Sequence, residues 1–388
     1  MAAQRETSMG ADAISFEVLH DIERFRALQP EWNDLWHAAD GGFAEHFGFC
    51  HATLMAEDAG SRRKLHCLVG RRNGRIVLIW PLFTYRNRLW RYLTPIAPEN
   101  RSPGNMLVAP ECNNEAVVKS ALDAAIKSAH ADVIELWRVP SDSLLFRCIQ
   151  RHTTNRRETH EQTYFASLRG ENDWDAFCRS RPGRDKNPDY AKRKLAKHLE
   201  YEIELLDRND ERTASIVDWL VENKRKWAHE KDLDSRWVCA ESSGRFWHDL
   251  MVNESYEPGM YRLFALLHRG TPLAALIVGV GRQRLFFLTV TYDLAHAKYS
   301  PGTVILDEGV KWAFDHGLDV DFTPGREPYK VSWSGKHSYQ ISSFLVMASA
   351  WGSLGYSAKT FATQLKGKLA RLANRGTPAP TNTGDVTQ

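Results

Sequence analysis

No two cysteines in this chain are close enough to form a Cys-x-x-Cys motif. The six lie at 50, 67, 112, 148, 178 and 239, with no histidine cluster beside them. This spacing offers neither a zinc finger nor a dithiol redox pair, and scattered thiols suit a reducing cytoplasm, the expected location. Long apolar runs are missing too. The longest, residues 272–280, is far too short to span a bilayer, so no integral membrane segment is expected. Residues 1–13 are polar and lack the apolar core of a secretory signal. Neither charge is in large excess: 51 Lys and Arg against 48 Asp and Glu give +3, which favours no particular partner. Gly-x-Ser-x-Gly, Walker and dinucleotide glycine loops are absent, which argues against an α/β-hydrolase or a P-loop enzyme. His229, His248 and His296 have no ligand spacing, so no metal is expected.

What is present is enough sequence for two domains. The 388 residues are 43% hydrophobic and 26% charged, as in soluble globular proteins. One pattern occurs twice. Residues 65–83 and 263–280 each read as two apolar strands around a polar turn, at 71–74 and 268–271. Amphipathic helical sequence precedes each hairpin, at 22–38 and 49–56, then at 211–229 and 243–255. A helix and a strand follow each, at 116–129 and 133–139, then at 303–316 and 320–323, with Gly317 as the stop. The fold class is therefore mixed α/β, built from a duplicated unit. The boundaries expected are 14–170 and 171–350, a helix over 351–375, and a disordered tail over 376–388. Residues 284–292, RLFFLTVTY, are apolar on both alternating faces and read as a central strand. Polar chemistry begins at its end, Tyr292 and Asp293.

The segment 292–335 resembles the GNAT acyltransferases associated with bacterial cellulose and exopolysaccharide production, relatives of the Fem peptidoglycan aminoacyltransferases. The resemblance rests on Ser-Pro-Gly at 300–302 before a helix, Gly-Leu-Asp-Val-Asp-Phe at 317–322, and Tyr-Lys-x-x-Trp at 329–333. It implies two tandem GNAT-like domains, each a mixed sheet flanked by helices, with the first degenerate. It also implies acyl-CoA, such as acetyl-CoA, as co-substrate. The acceptor would be a small molecule or glycan precursor, with glycan-synthesis machinery as a partner. One departure stands out. The family's pyrophosphate loop has two glycines, whereas Lys298–Thr303 has only Gly302.

Tyr299, Ser300, Gly302 and Thr303 are the candidate donor-binding residues. A helix start offers unpaired amides to an anion, and glycine allows close approach. Ser300 as N-cap and Pro301 in the first turn would explain those two without any ligand. Asp321 is the candidate general base, with Asp319 on the same face and Glu308 on a solvated helix side. Alternatively one of these aspartates caps a turn or pairs with Arg326. By resemblance, Tyr329 would protonate the leaving thiolate, and Lys330 would hold an acceptor phosphate or an oxyanion. Tyr292, Asp293, Arg326 and Trp333 complete the set as acceptor-binding residues. The basic stretch 179–198 suits an anionic partner or simply a solvated face. Its only aromatic, Tyr190, is too little for base stacking, so no nucleic acid is expected. An aminoacyl-tRNA-dependent transferase and an inactive binding module are the alternatives.

Overall fold

The computed structural model describes residues 13–58, 60–98, 103–181, 190–230, 236–325 and 327–355. The first half runs β1 (Ser15–Leu19), α1 (Ile22–Ala27), α2 (Gln29–Ala38), α3 (Phe47–Ala56), β2 (Lys64–Leu65), β3 (Cys67–Arg72), β4 (Arg75–Trp80), β5 (Leu82–Asn87), β6 (Trp90–Pro95), β7 (Leu107–Val108), α4 (Glu115–Ala129), β8 (Val133–Pro140), α5 (Leu144–His152) and β9 (Arg156–Ala166). The second runs α6 (Trp174–Arg179), α7 (Tyr190–Ala196), β10 (Glu202–Leu206), α8 (Thr213–Glu230), α9 (Arg236–Cys239), α10 (Glu241–Val252), β11 (Tyr261–His268), β12 (Thr271–Val280), β13 (Arg284–Tyr292), α11 (Pro301–Asp315), β14 (Asp319–Pro324), α12 (Pro328–Ser334) and β15 (Ser338–Met347). The fold is mixed α/β. Residues 350–355 are helical, and the rest of the expected 351–375 helix and the tail lie outside the described residues.

Both hairpins form where the pattern placed them. Their turns need positive φ at two positions, met by Asn73 and Gly74 in the first and Arg269 and Gly270 in the second. The expected helix over 22–38 is two helices, broken at Leu28 ahead of a Pro in the first turn of α2, because proline cannot donate to the preceding turn. Proline also splits the first hairpin's second strand. β4 stops at Trp80, and the chain resumes after Pro81 as β5 in a different sheet.

Eleven strands form one sheet across both halves, in the order β10-β11-β12-β13-β14-β9-β15-β8-β6-β5-β2. A second sheet, β1-β3-β4-β7, belongs to the first half. The continuity comes from an exchange: β15 inserts between β9 and β8, antiparallel to both. A core cluster spans the halves on one face, where Phe43 meets Phe286 and Phe49 meets Phe246, centroids 5.3 and 5.1 Å apart. A separate cluster under α11 and α6 fills the other face.

Candidate functional site

β13 is the central strand that its two apolar faces predict. It pairs with β12 on one edge and with β14 on the other. The β14 pairing is parallel and covers only three positions, from Arg284 opposite Asp319 to Phe286 opposite Asp321. Beyond Phe286 the strands part. At the same point β13 bulges: Phe287 faces Val278 and Thr289 faces Ile277, so Leu288 has no partner on β12. A bulge bends a strand and re-aims its neighbours. The result is a cleft between two strand edges, whose freed backbone groups need partners.

Side chains from two helices and β14 supply them. From α8, Lys224 Nζ donates to the Val290 carbonyl (3.2 Å) and the Thr289 hydroxyl (2.8 Å). Its neighbour Asn223 donates to the Tyr292 carbonyl at 2.6 Å. On the opposite wall Thr323, at φ +57°, turns the end of β14, and its hydroxyl lies 3.1 Å from the Phe287 carbonyl. From α12, Lys330 Nζ donates to the Thr323 and Pro324 carbonyls (3.2 and 3.1 Å) and pairs with Glu327 at 3.0 Å. Burial pushes the Lys330 ammonium below its usual range, with Glu327 opposing the shift. Burial also pushes Lys224 down to about 8, with Glu327 raising it and Lys330 lowering it. Lys330 is thus paired with Glu327, and the charges of both reach Lys224.

A cavity of about 160 Å³ opens beside Lys224, lined by Leu220, Val221, Trp237, Trp247, Leu288 and Thr289 among others. That volume is in the range that holds a benzene ring. The lining is apolar except at Lys224, Ser243 and Thr289.

Sequence reasoning missed Lys224. The signal was legible: α8 buries Ile216 and Leu220, and Lys224 is the next position on that stripe. A lysine continuing an apolar stripe needs a buried acceptor, and the bulged strand provides one.

Asp321 is buried, and both its oxygens are engaged. Thr323 N–H donates to Oδ1 (2.8 Å) and Tyr339 O–H to Oδ2 (2.7 Å), with Arg284 at 3.8 Å. Burial raises its pKa. The geometry gives it the turn-capping role and a tyrosine partner. Asp319 accepts from the Leu168 and Arg169 amides (2.8 and 3.0 Å) and fixes the end of β9. Glu308, expected in solvent, is half-buried and pairs with Lys192 at 2.8 Å. Tyr329 packs edge-on to Phe322 at 6.0 Å, and burial raises its hydroxyl pKa. Trp333 is a correction. It is 2% exposed and stacks on Trp174 (5.8 Å) and Phe177 (6.2 Å), in the core under α6 rather than at the cleft. Asp293 caps the following turn through the Ala295 amide and pairs with His296 at 2.7 Å. Arg326 lies outside the described residues.

The start of α11 sits at the mouth of the cleft. Ser300 occupies the N-cap position but adopts φ +61°, and its side chain makes no cap bond. Gly302 is fixed by packing: a Cβ there would lie 2.7 Å from the Tyr292 ring. Tyr299 stacks on His198 at 4.8 Å, and Lys298 is exposed beside it.

In this chain the parallel pair splays beside a bulge. Residues 183–331 match the acetyltransferase (GNAT) domain family. Among solved structures, FemX is 12% identical, with 87% of this chain and 99% of that one covered and a TM-score of 0.57. A conserved protein of unknown function from Bacteroides thetaiotaomicron is 11% identical, with 86% and 100% covered and a TM-score of 0.50. A tandem GNAT protein from the clavulanic acid biosynthesis pathway is 12% identical, with 87% and 99% covered and a TM-score of 0.42. At such identities the likeness is one of fold. No curated protein matches the sequence. Among the described residues, no helix is long and apolar enough to cross a membrane.

Proposed function

We propose that this chain is an acyltransferase that moves an acyl group from acyl-CoA to an amine on a sugar or cell-envelope polysaccharide precursor. The observation that carries the reading is the splayed β13–β14 pair, with the bulge at Leu288 and the start of α11 at its mouth. The residues present fit the anionic head of such a donor. α11 begins there without a side-chain cap, and Lys298, His198 and Tyr299 surround that end. The donor supplies an activated thioester carbonyl. The rest is the work of this chain's residues.

Two tasks follow. The acceptor ammonium must lose a proton before it attacks, and the bound carbonyl must be held away from water. Lys224 suits the first better than Asp321. Its ammonium lines the cavity and is tuned to about 8, whereas Asp321 spends both oxygens on Tyr339 and Thr323. Lys330 spends its three donors on two carbonyls and Glu327, so it shapes the cleft wall. The apolar cavity beside Leu288 would shelter the acyl group or an apolar part of the acceptor.

Calorimetry with acetyl-CoA and longer acyl-CoAs tests the donor. Binding is expected, and silence with every chain length would remove CoA from the reading. One observation bears on that event: Lys224 and Asn223 donate to the Val290 and Tyr292 carbonyls, so an extended amide arm would have to share those acceptors. An aminoacyl-tRNA donor would then be the next to assay.

A further inference from the structure

The far end of the long sheet carries a second concavity. A cavity of about 420 Å³ is lined by Arg62, Lys64, Arg86 and Arg91 together with His20, His66, Thr84, Tyr85 and Ser128. Six strand spacings separate β13 from β5 in the sheet order, about 29 Å at roughly 4.8 Å each. This concavity is therefore separate from the cleft.

Its charge is one-sided. No carboxylate lines it. Arg62, Lys64 and Arg86 are exposed, and none appears in an ion pair among the described residues. Arg91 donates one N–H to the Ala129 carbonyl at 3.1 Å and keeps the rest of its fork. Two acids stand behind the lining: Glu135 accepts from the Tyr85 hydroxyl, and Asp132 accepts from the Arg91 amide. The floor is internally satisfied. Ser128 O–H donates to Ala125, so His66 must donate its Nε2–H to Ser128. His20 likewise donates Nδ1–H to the Leu65 carbonyl. The positive field thus comes from the walls, and no carboxylate among the lining residues offsets it. Four cations around one hollow repel one another, and a bound anion removes that repulsion.

We propose that this hollow binds a phosphate-bearing ligand carrying at least two negative charges, either a soluble phosphorylated small molecule or a lipid headgroup. Guanidinium forks match phosphate oxygens in pairs, and three of the four cations are arginines. The volume lies within the range of small-molecule sites and exceeds what a single phosphate fills. This inference does not depend on the chemistry proposed for the cleft.

The test uses the full chain at low ionic strength, with inorganic pyrophosphate titrated by calorimetry. Wild type is expected to bind, and Arg62→Glu/Arg86→Glu to weaken binding by about tenfold or more. Arg62→Gln alone should weaken it less. A charge-matched control, Arg75→Glu/Lys226→Glu, should leave binding within about threefold, because those exposed residues lie elsewhere. Sedimentation with phosphatidylcholine vesicles, with and without phosphatidylglycerol, separates the sources. Vesicle binding that pyrophosphate competes away marks a headgroup site, and pyrophosphate binding alone marks a soluble ligand. No pyrophosphate binding and no vesicle binding, or an equal loss in the control, would overturn the proposal.

Discussion

The helix that follows each hairpin region begins differently in the two halves. α4 is closed by its own sequence. Asn114 sits in extended backbone, and its side chain accepts from the Val117 amide at 3.1 Å. α11 starts on Ser300 in the left-handed region, with no side-chain cap. A non-glycine residue there costs on the order of 1 kcal/mol, and a missing cap about as much again. The strands beside each helix differ in the same direction. In the first half Pro81 diverts the chain, and β6 meets β8 at only two positions. In the second, β12 and β13 run unbroken through the sheet, and the parting of β13 from β14 is held open by Lys224 and Lys330. Polar groups turned toward a cleft collect beside β13 and β14, whereas positive-φ residues such as Asp40, Arg88, His130 and Arg138 occur in the first half too. That asymmetry is why the second half is proposed as the working one.

The sharpest way to break this comparison is Lys224→Met. Methionine keeps the length and apolar stem but removes the proton acceptor. Thiol release from acyl-CoA in the presence of an amine acceptor should fall by about 100-fold or more, the usual range for losing a positioned acid–base group. The wild-type rate should rise with pH up to about 8, as the ammonium deprotonates. Stability should change little, because losing a desolvated charge is offset by leaving the Val290 carbonyl without its donor. A fully active Lys224→Met protein would return Asp321 to consideration and weaken the contrast between the halves.

Gly302→Val and Asn114→Ala probe the two helix starts directly. Valine at 302 must push the Tyr292 ring from its contact. Donor affinity should drop at least about tenfold, with roughly 1–3 kcal/mol of stability lost to overpacking. Asn114→Ala removes a cap and should cost about 1 kcal/mol in denaturant unfolding, with donor affinity unchanged. Equal effects of the two on donor binding would mean that both helix starts, or neither, meet the ligand.

Much of this contrast was written locally in the sequence. The strand over 284–292 appears with the bounds its pattern indicated, since two apolar faces leave no other place than mid-sheet. Both hairpins and their following helices were also legible. The exchange of β15 was not. Its partners on β8 and β9 lie about 180–210 residues away in sequence, and a strand's period shows which face is buried but not which neighbour it meets. Asp321 suffered from the same blindness. Its burial and its need of a partner were foreseeable, but the partner, Tyr339, sits on that unforeseen strand. Trp333 was misplaced because a tryptophan in a motif looks alike whether it meets a ligand or a core. Only the stack with Trp174 and Phe177, some 150 residues earlier, decides it.

The remaining effect is on stability alone and lies in the first half, whose buried ionisable groups include the acid Glu45. Glu45 lies at a cavity of about 220 Å³ lined by Asp40, Gly41, Gly42, Asn105 and Ser143 among others. It accepts the Asn105 amide at 3.2 Å, yet desolvation raises its pKa to about 7. The native state thus binds a proton that the unfolded chain releases between about pH 4.5 and 7. Over that window the unfolded state holds fewer protons, so stability falls as pH rises, and the whole penalty is present above about 7. Glu45→Gln mimics the protonated form. It should match wild type near pH 4 and be more stable at pH 8 by roughly 1–3 kcal/mol. Urea unfolding at the two values reads the difference. A destabilised Glu45→Gln protein at pH 8 would mean that the carboxylate is held by a partner, and the first half would then contain a charged site of its own rather than a buried acid left without a cation.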